Sequence, residues 1–289
     1  MVAVEEVLHL DDFNEDTLYA NLDWLCNNQE KIEKKLFRFR NKSGEAKTVY
    51  LYDVTSSYFE GTQNELAAFG YNRDKKKGKM QIVVGLLCDE QGYPISVQVF
   101  KGNTQDTATV ADPIKKLKKS FGIKHVVMVG DRGMIKSSSM DEMTTLKWHY
   151  LTAITKPQID GLINQNLIQL SLFEEKLIEI QQDEIRYLLR RNPARAEEIT
   201  NNRASKIERV KRLAEQKTIY LNGHRKASAA KALDAVNNKA EQLKISGLLD
   251  IKISKRTIII TKIEDKITEA AQLDGCYVLK SNVPKDAAD

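Results

Sequence analysis

Hydrophobic positions change period twice along the chain. Leu18, Leu22 and Leu25 recur at i, i+4 and i+7, and Ile32 and Leu36 follow, a spacing that predicts one or two amphipathic helices up to about residue 42. Asn41, Lys42, Ser43 and Gly44 break that rhythm. Strand-like pieces come next. TVYLYD at 48–53 and MQIVVGLLC at 80–88 are β-prone runs, and after the turn at 89–92 Ile95, Val97 and Val99 alternate with Ser96 and Gln98, as in a strand with one buried face. Short turns between the three predict an antiparallel meander. Val110, Ile114, Leu117 and Phe121 then form a helical stripe, with Pro113 in its first turns and lysines outside it. HVVMVG at 125–130 reads as a fourth strand. Ser139 with Glu142 resembles a capping box opening a short helix, and HYLTAIT at 149–155 reads as a fifth strand. The predicted order is βββαβαβ, an α/β mixed sheet.

From about 165 to 246 the chain is charged, poor in glycine and spaced as helix. Leu170, Phe173, Leu177 and Ile180 recur three and four apart; Ile207, Val210 and Leu213 follow the helix start Asn192-Pro193; Ala229, Leu233, Val236, Ala240 and Leu243 make a further stripe. A mainly helical insertion is expected. Beyond it, LDIKIS and TIIITKI flank Lys255-Arg256 as a hairpin, and CYVLKS at 276–281 is one more strand. The expected division is an N-terminal helical segment at 1–42, a core at 47–155, the insertion at 156–248, and strands at 249–289 returning towards the core.

Composition narrows the function classes. With 42% apolar and 29% charged residues in 289, the chain can bury a core and is not disordered. A net charge of +5 permits nucleic acid as a partner without demanding it. Cys26, Cys88 and Cys276 lack CxxC spacing, and the four histidines lack metal-ligand spacing, so neither a disulfide framework nor a zinc site is expected. No apolar run is long enough to cross a membrane, and the first residues are acidic where a signal peptide is basic and then apolar. The expected location is the cytoplasm, associated with the nucleoid.

Two aspartates carry the chemistry. Asp53 in VYLYDVTSSYFEG and Asp131 in VVMVGDRGM each follow a buried-looking run, and each is expected at a strand end. A carboxylate buried there needs a partner or a metal; the plainer reading is a turn cap. If the first and fourth strands are neighbours, both carboxylates meet at one edge of the sheet and can bridge divalent cations. Phosphatases of the haloacid dehalogenase type also open on a strand-end Asp, but they need a second Asp two residues on, where Thr55 stands, and a later acid where Ile135 stands.

LYDVTSSYFEG, GYNRDKKKGKMQIVVGLL, PISVQVFKGNTQDT, VVMVGDRGM and LDGCYVLKSN, in that order, resemble the catalytic core of DDE-type insertion-sequence transposases. The resemblance runs from about Asn14 to the last residue. It implies a ribonuclease H-like fold, Asp53 and Asp131 as catalytic metal ligands for Mg²⁺ or Mn²⁺, and double-stranded DNA, both transposon ends and target, as partner. It also implies DNA transposition by metal-dependent phosphodiester cleavage and strand transfer. The family's third acid, a glutamate on a helix after the last of these motifs, is not met before Asp289, so the chain reads as truncated and strand cleavage is expected to be absent or slow. Arg73, Lys75, Lys76, Lys77 and Lys79 crowd one loop and are expected to face DNA phosphates. The competing reading is a non-catalytic remnant that binds DNA or full-length transposase, and a homo-oligomer fits either. A helical scaffold built on 165–246 would leave the two aspartates without purpose.

Overall fold

The computed structural model describes residues 14–41, 48–71, 78–132 and 134–285. The N-terminal segment is one helix, α1 (Glu15–Arg40), capped by the Asn14 side chain, which accepts from Thr17 N at 2.9 Å. Acids in its first turn and arginines in its last suit the helix dipole, and no glycine or proline interrupts it.

The chain divides into two compact units, one of Met1–Ala153 with Ser281–Asp289, the other of Ile154–Lys280. In the first, β1 (Val49–Phe59), β2 (Met80–Asp89) and β3 (Pro94–Lys101) form the expected antiparallel meander. The β2–β3 turn is built by Asp89, whose Oδ1 accepts from Gln91 N at 3.1 Å and Tyr93 N at 2.9 Å, with Gly92 at φ 80°. Then come a single-turn α2 (Asp106–Thr109), α3 (Ala111–Lys119), β4 (Val127–Gly130), α4 (Ser137–Thr145) and β5 (His149–Ala153). The strands lie in the order β3-β2-β1-β4-β5, with β4 parallel to both β1 and β5. This is the ribonuclease H-like βββαβαβ arrangement. Helix α4 departs from expectation in one detail: it starts at Ser137 after Lys136, with no side-chain cap, and not from a box at Ser139.

Alternation along β1 decides which side chains meet the core. Tyr50, Tyr52 and Val54 are buried, whereas Leu51, Asp53, Thr55 and Ser57 are exposed. Tyr52 explains Gly85, which pairs with Val54 and lies diagonally across from Tyr52: a Cβ at 85 would stand 2.3 Å from the Tyr52 hydroxyl. That hydroxyl donates to the Thr109 carbonyl at 3.2 Å.

Helix α1 docks on the edge strand through polar side chains. Gln29 Nε2 donates to Val97 O at 2.7 Å, and Val97 N donates to Glu33 Oε1 at 3.2 Å. Glu33 is buried, and its Oε2 forms an ion pair with Lys116 Nζ at 2.6 Å. Lys116 also donates to Ser96 Oγ at 2.8 Å.

The second unit holds α5 (Lys156–Asn164), β6 (Ile178–Gln182), β7 (Ile185–Arg191), α6 (Pro193–Gly223), α7 (Ala229–Gln242), β8 (Leu249–Ser254), β9 (Thr257–Lys262), α8 (Glu264–Gln272) and most of β10 (Cys276–Ser281). One feature differs from the sequence expectation. The stretch around Leu177 and Ile180 is not helix: β6 and β7 form an antiparallel hairpin turned at Asp183, φ 53°. β8 and β9 pair with each other as a two-stranded sheet within the second unit. Ile207, Val210 and Leu221 of α6, Val236 and Ala240 of α7, Leu249 and Ile258 form one buried cluster. A second cluster joins Ile154, Ile159, Phe173, Leu189, Leu273 and Val278. Helix α6 starts where the Asn192-Pro193 pair predicts, with Asn192 Oδ1 accepting from Arg195 N at 3.1 Å. Among the described residues no helix is long and apolar enough to cross a membrane.

Candidate metal centre

Asp53 does not end its strand. It is the fifth residue of β1, which continues to Phe59; Asp131 does follow directly on β4. Neither is buried, so the desolvation argument that singled them out does not apply. What unites them is register. The parallel β1–β4 ladder runs from Val49↔Val127 to Tyr52↔Gly130, and the next residue on each strand is Asp53 and Asp131. Strands so paired lie about 4.8 Å apart, and residues at one level of a parallel pair project from the same face. That face of β1 is the exposed one, with Leu51 before Asp53 and Thr55 after it.

The local chain fixes one oxygen of each carboxylate. Asp53 Oδ1 accepts from Val54 N at 2.8 Å, and Asp131 Oδ1 accepts from Arg132 N at 2.5 Å. In each case the donor is the amide of the very next residue. The turn after β4 is pinned from two sides. Asp131 O accepts from Met134 N at 3.1 Å and from the Thr152 hydroxyl at 3.2 Å. Ile135 folds back over Gly130, where a Cβ would meet its side chain at 3.0 Å. Thr152 is buried on β5. Nothing in the reading of the sequence pointed to it; a polar residue on the buried face of a predicted strand was the available signal.

Other charged residues lie elsewhere. Lys79 Nζ is 3.1 Å from Glu60 Oε1, an exposed ion pair that occupies both. Arg73, Lys75, Lys76 and Lys77 fall outside the described residues. Asp274 is buried in the second unit, 2.5 Å from Arg203 and 3.3 Å from Lys156, a structural role. Glu264 and Glu269 are exposed on α8. Among the described residues no group of three His, Cys, Asp or Glu side chains gathers around a metal-sized space. The paired carboxylates, offering oxygen alone, suit hard divalent cations such as Mg²⁺ or Mn²⁺.

A family model for the transposase DDE domain matches residues 44–283, a span that takes in both aspartates and both units. The chain belongs to that family. No curated protein matches this DDE transposase chain. Among solved structures it is similar to a piggyBac transposase synaptic complex with hairpin DNA, at 14% identity and a TM-score of 0.37 over 50% of this chain and 31% of that one. It is also similar to a simian T-cell lymphotropic virus intasome bound to a PP2A regulatory subunit, at 13% and 0.25 over 42% and 40%. A third is the Mos1 mariner paired-end complex with Mn, at 12% and 0.24 over 48% and 43%. The chain thus spans less than half the length of each of these.

Proposed function

We propose that the chain acts in DNA transposition, with Asp53 and Asp131 as the carboxylates that hold the divalent cations of phosphodiester cleavage and strand transfer. The β1–β4 register supports this reading: the parallel pairing ends at Tyr52↔Gly130, immediately before the two acids, and both acids are exposed. A bound cation supplies Lewis-acid activation of water or a 3′-hydroxyl and stabilises the leaving oxygen. The chain's own part is placement: the amides of Val54 and Arg132 orient the carboxylates, and Thr152 anchors the Asp131 backbone. Arg73, Lys75, Lys76 and Lys77 would neutralise backbone phosphates. Lys79, paired with Glu60, would contribute less.

The test is Mn²⁺ binding to the whole chain, read from the loss of the free-ion paramagnetic resonance signal. Asp53→Asn and Asp131→Asn are each expected to raise the dissociation constant at least about tenfold, as loss of one of two charged ligands would. Lys79→Gln is expected to leave it unchanged. Wild-type affinity in both aspartate variants would sink the assignment.

A further inference from the structure

Ser56 of β1 and Gln81 of β2 are 8% and 2% exposed, yet Ser56 Oγ and Gln81 Oε1 have no hydrogen-bond partner among the described residues. Both side chains line one cavity of about 450 Å³, a size typical of small-molecule sites. Two orphaned oxygens at one place carry a desolvation cost that a ligand meeting them removes. Gln81 also holds the cavity in shape. Its Nε2 donates to Tyr71 O at 3.0 Å and to Gly102 O at 2.7 Å, and its backbone exchanges hydrogen bonds of 3.0 and 3.1 Å with Ala68. The two loops meet so closely that a Cβ on Gly102 would stand 1.8 Å from Gln81 O, and one on Gly70 2.1 Å from Gly102 O. Because carbonyls occupy Nε2 twice, the amide cannot turn over, and Oε1 is left to accept only.

The lining selects its ligand by chemistry. A carboxamide oxygen and a hydroxyl are neutral; they suit a group that presents N–H and repel an anion brought against them. Tyr71, 86% exposed, offers a ring for stacking, and Lys136 offers a cation. Asp106 in the same lining disfavours a polyphosphate, so a single phosphate fits. A flat ring with N–H donors on its edge, a face that stacks and one phosphate attached is a mononucleotide unit. Ser56 belongs to the buried face of β1 and Asp53 to the exposed one, about 10 Å apart along the strand, so the cavity is distinct from the carboxylate pair. We propose that it is a nucleotide site, taking the edge of one nucleobase on Ser56 Oγ and Gln81 Oε1, its face on Tyr71 and its phosphate on Lys136.

Calorimetric titration of the full chain with deoxycytidine monophosphate, in EDTA, tests it. Binding is expected, and inorganic phosphate and deoxyribose phosphate are each expected to bind at least about tenfold more weakly, for want of a base. Tyr71→Ala is expected to weaken the nucleotide about tenfold by removing the stacked ring. Ser56→Ala is expected to weaken it about fivefold while leaving the thermal unfolding midpoint of the free chain unchanged or higher, since it deletes an orphaned hydroxyl. Lys136→Gln is expected to bring the nucleotide down to the affinity of deoxycytidine. A single-stranded oligodeoxycytidylate that competes with the mononucleotide and binds more tightly assigns the base to DNA; a strand that does not compete assigns it to a free nucleotide. No binding of either, equal binding of inorganic phosphate, or an affinity indifferent to both Ser56→Ala and Tyr71→Ala overturns the proposal. So does a free Ser56→Ala chain that unfolds at a lower temperature than wild type, because the hydroxyl then has a partner within the chain. Since EDTA keeps divalent cations out of the titration, its failure is separable from failure of the carboxylate assignment.

Discussion

Tyr52 and Asp53 are consecutive residues facing opposite sides of one sheet, and each needs the other side closed to it. Tyr52 fills the space over Gly85 and sends its hydroxyl to Thr109 O. Burial, with Asp112, Asp106 and Asp53 adding to it, pushes its phenol up to about 12; burial likewise raises Tyr50. A proton held more tightly in the folded chain stabilises it fully below the unfolded tyrosine value of about 10, and that stability is lost as pH climbs through about 12. Unfolding by alkali between those limits is therefore expected. Tyr52→Phe should remove part of the alkaline loss while costing about 1 kcal/mol at neutral pH for the missing hydrogen bond. Tyrosinate absorbance followed beside circular dichroism checks it; ionisation of Tyr52 in a still-folded chain would contradict it. The sequence pattern reads Asp53 and Asp131 as buried strand-end acids, yet both are exposed, and Asp53 lies within its strand. That β1 and β4 are neighbours depends on pairing between segments more than seventy residues apart, which no local pattern encodes.

At the level of elements, the dock of α1 on β3 rests on Glu33, which accepts from the Val97 amide and faces Lys116 within 2.6 Å. Removing one member of a buried ion pair strands the other. Glu33→Ala is expected to cost about 3 kcal/mol in urea unfolding, and Glu33→Gln, which keeps an acceptor for Val97, clearly less. Equal losses in the two variants would mean that charge alone holds the helix. Most elements were legible because their periods are clean: the α3 stripe and the Asn192-Pro193 start fold as spaced. The 170–191 stretch was not. Leu170, Phe173, Leu177 and Ile180 fit a helix, but Ile178 and Ile180 also alternate with Glu179 and Gln181, and Tyr187 and Leu189 answer them across the hairpin. Tyr187 and Leu189 are buried while Phe173 joins the same cluster from outside the strands. Tertiary burial chose the shorter period.

For the molecule as a whole, the two units have separate cores, and their reporters are separate as well. Both tryptophans, Trp24 and Trp148, lie in the first unit, and Trp148 is buried, its indole donating to Lys124 O at 3.0 Å. Asp274, enclosed by Arg203 and Lys156, belongs to the second. Asp274→Ala is expected to destabilise that unit by about 3 kcal/mol and to lower the unfolding midpoint seen by circular dichroism more than the one seen by tryptophan fluorescence. Coincident shifts would show a single cooperative transition. The helical hairpin of α6 and α7 supplies much of the dichroism signal, so the comparison is sensitive.

The outermost strand of the first unit is not left open. Gln29 and Glu33, one helical turn apart, take up both the carbonyl and the amide of Val97 that would otherwise point away from the sheet. An extended peptide arriving there finds the hydrogen-bonding positions already filled, so the sheet cannot lengthen by recruiting strands from its neighbours at that point, and crowding many copies together need not end in fibrous aggregates.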